Sequence, residues 1–406
     1  MTTTSNTTYD VESVRTQFPA LAEGAAHFDG PGGSQVPQQV ADAVATTLTA
    51  GIANRGPVTA AARRADAVVT GTRQALADLL GADPQGIVFG RSMTALTYDF
   101  SRTLAKGWSP GDEVVVTRLD HDANIRPWVQ TAQAAGAELR WVEFDRVTGE
   151  LTSDDVAAVL SERTRVVAVT GASNLLGSRP PIPEIARLVH EAGAMLYVDG
   201  VHLTPHAPVD VQAMGADFYG CSPYKFLGPH CGVVAADPEL LATLEPDKLL
   251  PASDAVPDRF EQGTLPYELM AGTTAAVDFL AGLAPASSGT RRERVVAGMR
   301  LLQEYEDDLR RQIEERLGGV AGVTLHGHAA HRTPTLLFSV EGHTPAEVSD
   351  HLAAAGVNAP AGSFYALEAA RWIGLGDAGA VRVGVAPYTD QADVDRLIEA
   401  VHQLTA

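Results

Sequence analysis

The chain has 406 residues, of which 45% are hydrophobic and 20% charged, an ordinary globular composition. Its 30 basic residues face 50 acidic ones, and the formal net charge of −20 argues against nucleic acids and anionic membranes as partners, because both are polyanions. The sequence shows no apolar signal core, no membrane-spanning run, and only Cys221 and Cys231 as cysteines, so we expect a cytoplasmic protein without a disulfide framework.

The first part of the chain predicts helices separated by one irregular loop. Asp10–Phe18 has the pattern of a short helix, and longer helical patterns cover Pro37–Thr49 and Arg63–Leu80. Between them, Phe28–Ser34 is too rich in glycine and proline for regular structure. We expect a loop there whose backbone approaches another group closely.

From about residue 85 the chain alternates short apolar runs with alanine-rich helical segments. Runs that are apolar throughout predict strands buried on both faces, and their alternation with helices predicts an α/β fold around a mostly parallel sheet. Ligands of such sheets bind at the carboxyl ends of the strands. The predicted strands are Gly86–Phe89, Glu113–Thr117, Glu138–Val142, Val166–Thr170, Met195–Asp199 and Gly232–Ala236.

The last part of the chain predicts a smaller α+β domain. We expect an N-terminal segment of residues 1–30, a large domain of residues 31–285 and a small domain of residues 286–406, with Ser287–Thr290 as the linker. The predicted elements of the small domain are a long helix at Arg291–Leu317, strands at Val323–Leu325, Thr335–Val340 and Val381–Val385, and helices at Pro345–Ala355 and Gln391–Gln403.

Polar side chains follow four of these apolar runs, and a fifth group, in Asp217–Lys225, comes shortly before the Gly232–Ala236 run. A lone histidine, aspartate or lysine at such a position is usually structural, but these groups fall at neighbouring strand ends of one predicted sheet. Together they match what pyridoxal phosphate (PLP) requires: an amine for a Schiff base, an acid for the pyridine nitrogen, a phosphate cradle and a ring cap. The candidates in that order are Lys225, Asp199, Ser92 and Thr94 with Ser222, and His121.

The same stretches carry a family resemblance over roughly residues 15–404. The chain resembles the class V aminotransferase superfamily of fold-type I PLP enzymes, and within it the cysteine desulfurase-like branch. That resemblance implies a large domain with a seven-stranded sheet and a small C-terminal domain. The matching stretches are Phe28-Asp-Gly-Pro-Gly-Gly33, Asp120-His-Asp-Ala-Asn-Ile-Arg-Pro-Trp128, Ser173-Asn-Leu-Leu-Gly177, Tyr197-Val-Asp-Gly-Val-His202, Val209-Asp-Val211, Ser222-Pro-Tyr-Lys-Phe-Leu-Gly-Pro229 and Glu261-Gln-Gly-Thr264.

The resemblance implies roles for the matching residues. Lys225 is similar to the Schiff-base lysine and proton shuttle, Asp199 to the pyridinium partner, and His121 to the residue stacked on the ring. Asn174 and His202 match positions near the phenolic oxygen of the cofactor. Positions that match phosphate contacts are Ser92, Met93, Thr94, Ser222, Tyr224 and, reaching the neighbouring subunit of a homodimer, Thr264.

The substrate side of the site is implied in the same way. Arg382 matches the arginine that holds the substrate carboxylate, and a guanidinium fork suits a carboxylate geometrically. Gly32, Arg55 and Tyr365 lie on segments expected to shape the substrate pocket. No metal ligands are expected.

One departure from the family pattern separates this chain from true cysteine desulfurases. Those enzymes carry a nucleophilic cysteine on a loop before the arginine-bearing strand, where this chain has Tyr365 and no cysteine after Cys231. Sulfur transfer needs a soft, ionisable nucleophile, which a phenol does not provide. Cys221 and Cys231 flank Lys225 in the sequence, and we expect both to be buried small residues.

The first hypothesis is therefore a PLP-dependent C–S lyase that acts on cysteine or a cysteine S-conjugate without an enzyme persulfide. The second is an aminotransferase, an epimerase or a decarboxylating enzyme of the same fold. The third, a PLP-fold protein that binds a partner without chemistry, is disfavoured by the intact set of Lys225, Asp199, His121 and Arg382.

Overall fold

The computed structural model describes residues 9–284 and 289–405. The predicted boundary between residues 285 and 286, and Ser287 and Ser288 of the predicted linker, lie outside the described residues. The described helices are α1 (Val11–Arg15), α2 (Gln38–Thr49), α3 (Ala60–Leu80), α4 (Met93–Ala105), α5 (Arg126–Ala135), α6 (Ser153–Ala157), α7 (Ile182–Glu191), α8 (Val211–Met214), α9 (Pro238–Thr243), α10 (Tyr267–Ala281), α11 (Arg291–Gly318), α12 (Pro345–Ala354), α13 (Leu367–Trp372) and α14 (Gln391–Thr405).

The strands form one large sheet, one smaller sheet and one short strand pair. They are β1 (Ala26–His27), β2 (Ile87–Gly90), β3 (Glu113–Thr117), β4 (Glu138–Val142), β5 (Thr164–Thr170), β6 (Met195–Asp199), β7 (Phe218–Cys221), β8 (Gly232–Ala236), β9 (Val323–His326), β10 (Thr335–Val340), β11 (Val357–Asn358), β12 (Ala361–Gly362) and β13 (Ala380–Gly384).

The large sheet has seven strands in the order β2-β8-β7-β6-β5-β3-β4. Only β8 runs antiparallel to its neighbours, β2 and β7. The predicted mostly parallel α/β sheet is therefore confirmed. Its central strands are buried on both faces, as their uninterrupted apolar runs require.

The sequence pattern missed β7. This strand is only four residues long and contains Gly220, which weakens the apolar strand signal. The glycine has a packing reason, because a Cβ at Gly220 would lie 3.0 Å from Cγ of Met93 at the start of α4. A close approach of α4 to the sheet thus explains why this strand lacks a side chain there.

The smaller sheet has the order β12-β13-β10-β9 and lies in the C-terminal part of the chain. The N-terminal segment joins this part, since β1 pairs with β11 and Asp29 bridges to Gly384. A capping box between Thr290 and Glu293 starts the long helix α11, which fits its sharp N-terminal boundary. Within the described ranges, no helix is both long and apolar enough to cross a membrane.

Candidate active site

A cavity of about 580 Å³ lies where the carboxyl ends of β3, β5 and β6 meet the start of α4. Parallel strands bring their carboxyl ends to one edge, which is why residues far apart in sequence converge there. The loop between β12 and α13 and the Arg382 side chain on β13 close the cavity from the smaller sheet. Its lining includes Gly32, Ser92, Met93, Thr94, His121, Asn174, Asp199, His202, Ser222, Tyr224, Lys225, Tyr365 and Arg382, all predicted from sequence.

Lys225 lies in a short turn after β7 and extends its amine into the cavity. Its Nζ donates a hydrogen bond to the carbonyl oxygen of Pro31 at 2.5 Å. Desolvation and, secondarily, the positive charge of Arg382 lower the pKa of Lys225 to about 7, against a smaller opposing effect of Asp199. Much of this amine is therefore unprotonated at neutral pH, as a nucleophilic amine must be.

Asp199 is the last residue of β6, and its side chain is buried at the floor of the cavity. One carboxylate oxygen accepts a hydrogen bond from the backbone N–H of Val201 at 2.9 Å. Burial raises the pKa of Asp199 to about 6, although this hydrogen bond and Lys225 both oppose the rise. A buried carboxyl whose desolvation is offset by so few hydrogen bonds and charges is suited to pair with a cationic group of a ligand.

His121 follows β3 and faces the same cavity. Its Nδ1 accepts a hydrogen bond from the backbone N–H of Ala123 at 3.0 Å, so a neutral ring carries its proton on Nε2. Desolvation, reinforced by the charges of Lys225 and Arg382, lowers the pKa of His121 to about 4. The ring is therefore neutral at physiological pH and can stack on a planar ligand.

The start of α4 forms an anion-binding end of the cavity. Ser92 caps the helix, its Oγ accepting from the N–H of Ala95 at 3.1 Å, and Thr94 lies in the first turn. Free N–H groups and the helix dipole favour a phosphate at such a position. Gly232 on β8 permits the approach, because a Cβ there would lie 2.1 Å from the carbonyl carbon of Ser92.

Asn174 and His202 both line the cavity. The Nδ2 of Asn174 donates to the carbonyl oxygen of Phe364 at 2.9 Å, while its buried Oδ1 has no partner among the described residues. Nε2 of His202 lies 3.0 Å from the hydroxyl oxygens of both Thr333 and Thr335. An orphaned amide oxygen facing a cavity indicates a ligand group that completes its hydrogen bonding.

Arg382 is buried and held in a fixed orientation. Its Nη1 donates to the carbonyl oxygen of Asn174 at 2.7 Å, and the guanidinium lies over the ring of Phe364 at 3.8 Å from the centroid. Burial lowers the pKa of Arg382 to about 9, against an opposing effect of Asp29, and its Nε has no partner among the described residues. A positioned guanidinium with unused donors suits a carboxylate.

Pro31 and Phe364, on two of the segments expected to shape the substrate pocket, both line the cavity. Sequence reasoning missed other residues of the lining, among them Asp122 and Arg126. Asp122 and Arg126 stand four residues apart in a quoted motif and form an ion pair of 2.7 Å at the mouth. That spacing was the signal that could have identified them.

Two predicted residues are not brought into this cavity. Arg55 is held by Asp66 at 2.9 Å and Asp258 at 3.0 Å, and Thr264 is exposed on the surface of this chain. Both cysteines are free, buried and outside the cavity lining. Burial raises the pKa of Cys221, and that of Cys231 rises to about 11, so neither provides a thiolate at neutral pH.

Comparisons with known proteins agree with this geometry. The family model for aminotransferase class-V matches residues 26–397. The chain is 33% identical to the uncharacterized protein MT3887 of Mycobacterium tuberculosis, covering 98% of this chain and 99% of that one. It is 31% identical to the aminotransferase-like protein FGM3 of Gibberella zeae, covering 98% and 100%. The structure of the cysteine desulfurase CsdA (S-sulfonic acid) from Escherichia coli matches with a TM-score of 0.83 and 26% identity, covering 97% and 98%.

Proposed function

From the premise that this chain belongs to the class V aminotransferase family of PLP enzymes, we propose that it is a lyase that cleaves the C–S bond of cysteine or a cysteine S-conjugate without an enzyme persulfide. The observation that carries this proposal is the cavity wall at Tyr365, where the desulfurase pattern calls for a thiol. A phenol cannot accept sulfur to form a persulfide. The sulfur atom would therefore leave the substrate as sulfide or as a thiol.

The cavity fits PLP on chemical grounds. It holds an amine with a lowered pKa, a buried carboxyl with a raised pKa, and a helix N-terminus suited to phosphate. Lys225 would hold the cofactor, Asp199 would pair with its ring nitrogen, and His121 would cover its face. Ser92, Thr94 and Ser222 would bind its phosphate. When bound, the cofactor supplies an electron-withdrawing ring that stabilises negative charge at the substrate's Cα.

The chain's own residues would then carry out binding and proton transfer. Arg382 would hold the α-carboxylate through its free guanidinium donors, which fixes the Cα–H bond relative to Lys225. The neutral amine of Lys225, at Nζ, would take the Cα proton once it is no longer engaged with the cofactor. Removal of that proton beside a Cβ–S bond favours loss of the thiol. Tyr365 and Phe364 would limit the access of water from the mouth.

The test is a product assay with cysteine and S-substituted cysteines in the absence of any keto acid. A lyase releases pyruvate, ammonia and sulfide or thiol in equal amounts. An aminated cofactor spectrum that a keto acid restores, with no pyruvate from cysteine, would instead assign an aminotransferase. Alanine formation or loss of carbon dioxide would likewise contradict the lyase.

We further propose a homodimer, as the family resemblance implies. Large apolar side chains are exposed near the end of α2, just before α3 and in the segment after α9, and a second copy of the chain would cover them. They are Leu48, Val58, Leu249 and Leu250. Sedimentation equilibrium should give twice the chain mass, and Leu250→Asp should shift the protein toward the monomer, whereas Val147→Asp, at an exposed apolar residue elsewhere, should not.

The cytoplasm is the compartment we propose, supported by two cysteines that are both free. Fractionation of the source cells with an antibody to the chain would test this location directly.

A further inference from the structure

His206 and Glu306 form a buried pair behind Lys225. His206 lies in the turn after β6, Glu306 lies in α11, and Nδ1 of the histidine is 2.8 Å from Oε2 of the glutamate. Their side chains are 6% and 0% exposed, and Oε1 of Glu306 has no partner among the described residues. A buried carboxylate that is only half satisfied is destabilising. The proposed lyase reaction does not use His206 or Glu306.

A second, much smaller cavity is lined by both His206 and Lys225. This rear cavity has a volume of about 10 Å³, which is room for one water molecule. Lys225 lines both the main cavity and the rear cavity, and His206 lines the rear one. Ser34 also lines this space, and its hydroxyl donates to the carbonyl oxygen of Tyr224 at 3.2 Å and accepts from the N–H of Leu227 at 2.9 Å. A water there would lie beside Lys225, His206 and Ser34.

The orientation of the imidazole is set by the glutamate. Nδ1 of His206 faces the carboxylate of Glu306, which leaves Nε2, a nitrogen without a hydrogen bond to the described residues. A carboxylate on Nδ1 fixes the tautomer and stabilises the imidazolium that forms when Nε2 gains a proton. The edge of the same ring also contacts His202, with centroids 5.2 Å apart. His206 therefore lines the rear cavity as an oriented base and contacts His202, which lines the main cavity.

We propose that His206, which is positioned by Glu306, exchanges a proton with Lys225 through one water in the rear cavity. This inference rests on the proposed role of Lys225. A proton that Nζ has received passes to the water, and the water passes one of its own protons to Nε2 of His206. The imidazolium is held by the Glu306 carboxylate, and the reverse transfer restores the starting state. Only N–H and O–H bonds change, and no electrons are gained or lost.

Other ionisable groups lie close to Lys225, His206 and Glu306, and they also affect how the protonation of Lys225 depends on pH. Glu306 is faced by tyrosines from the N-terminal segment, its own helix and the loop before α14, and Lys225 is faced by charges across the main cavity. These groups are Tyr9, Tyr305, Asp307 and Tyr388 around Glu306, His202 beside His206, and Asp199 and Arg382 near Lys225.

The first test is a pH titration of the absorbance of the PLP-loaded protein, without substrate. Glu306→Gln removes the negative charge, so the midpoint should fall by about half a pH unit or more. His206→Gln should also shift it, and the double variant should match His206→Gln alone, because Glu306 acts through His206. Glu304→Gln and His402→Gln, at exposed positions, are matched controls that should leave the midpoint unchanged. Unchanged midpoints in all variants, or strictly additive shifts, would overturn the proposal.

A second measurement avoids variants that fold poorly. Nitrogen-15 NMR of labelled histidine follows the protonation of the His206 ring in the full-length chain with and without PLP. We expect the Nε2 resonance of His206 to move on loading, because the charge at Lys225 changes at the other end of the water bridge. An identical resonance in both forms would overturn the relay. Both measurements need only cofactor binding, so failure of the lyase assay would remain a separate result.

Discussion

The ring of Tyr365 stacks on the ring of His121, with centroids 5.5 Å apart and planes inclined by 28°. Tyr365 and its neighbour Phe364 both have left-handed backbone angles, with φ of 59° and 53°. Such angles are unfavourable for bulky residues and persist only when the surroundings hold them. Asn174 bonds the carbonyl of Phe364, and the N–H of Asp122 bonds that of Tyr365 at 2.7 Å. The loop thus presents a phenol at the site entrance.

This stacking predicts that Tyr365 acts as a wall of the site. Its side chain is 76% exposed despite the contact with His121. Tyr365→Phe keeps the stacked ring, so we expect kcat/KM for pyruvate formation within about threefold of the parent. Tyr365→Ala removes the ring and should lower kcat/KM by about tenfold. If Tyr365→Phe lost about a hundredfold or more, the phenol would be a proton donor.

Lys225 should capture PLP with a pH dependence set by its own amine. Only the unprotonated amine attacks the aldehyde, so the capture rate of cofactor-free protein should rise through a midpoint near the Lys225 pKa of about 7. Arg382→Gln removes a neighbouring positive charge and should move this midpoint upward. Stopped-flow absorbance measures the rate. A midpoint near the ordinary lysine value of 10.5 would contradict the account.

Asp199 should make the stability of the cofactor-free chain pH-dependent. Its pKa is raised from 3.8 to about 6 in the fold, so its favourable contribution is present below pH 3.8 and is lost as pH rises through 6. Asp199→Asn should therefore stabilise the cofactor-free chain above pH 7, by up to about 3 kcal/mol. Chemical denaturation at pH 5 and pH 8 measures the difference.

The matched control for that comparison is Asp350→Asn, an exposed carboxyl on α12. Asp350→Asn should not increase the free energy of unfolding at either pH. With PLP bound, Asp199→Asn should be less stable than the parent protein, because the parent's carboxyl then has a cationic partner. A stabilising Asp199→Asn in the loaded protein would argue against the pairing with the ring nitrogen.

Arg382 should contribute mainly to substrate binding. Loss of charge-assisted hydrogen bonds to a carboxylate costs about 1.5 to 3 kcal/mol, so Arg382→Gln should lower kcat/KM by roughly ten- to a hundredfold. Arg382→Lys should rescue only part of this loss, because an ammonium lacks the planar fork. Steady-state assays with a cysteine S-conjugate and with its carboxamide separate the effects. Equal losses on both substrates would contradict a carboxylate contact.

The polar side chains at the strand ends could be predicted from the sequence for two reasons. Buried parallel strands have a strong apolar pattern, and their carboxyl ends converge at one edge of the sheet. Lys225, Asp199 and His121 were accessible in this way, since each stands next to a recognisable strand or motif. The stacking of Phe364 on Arg382 was not accessible in this way, because it depends on how the loop closes from the smaller sheet. The confinement of Arg55 by two carboxylates likewise depends on long-range packing.

The most direct test of a lyase without an enzyme persulfide is one incubation of the PLP-loaded protein with cysteine, analysed in two ways. Pyruvate and sulfide are quantified in solution, and the intact mass of the chain is measured without reductant. The account predicts equal amounts of pyruvate and sulfide and an unmodified chain. Alanine as the product, together with a chain heavier by one sulfur atom, would contradict it.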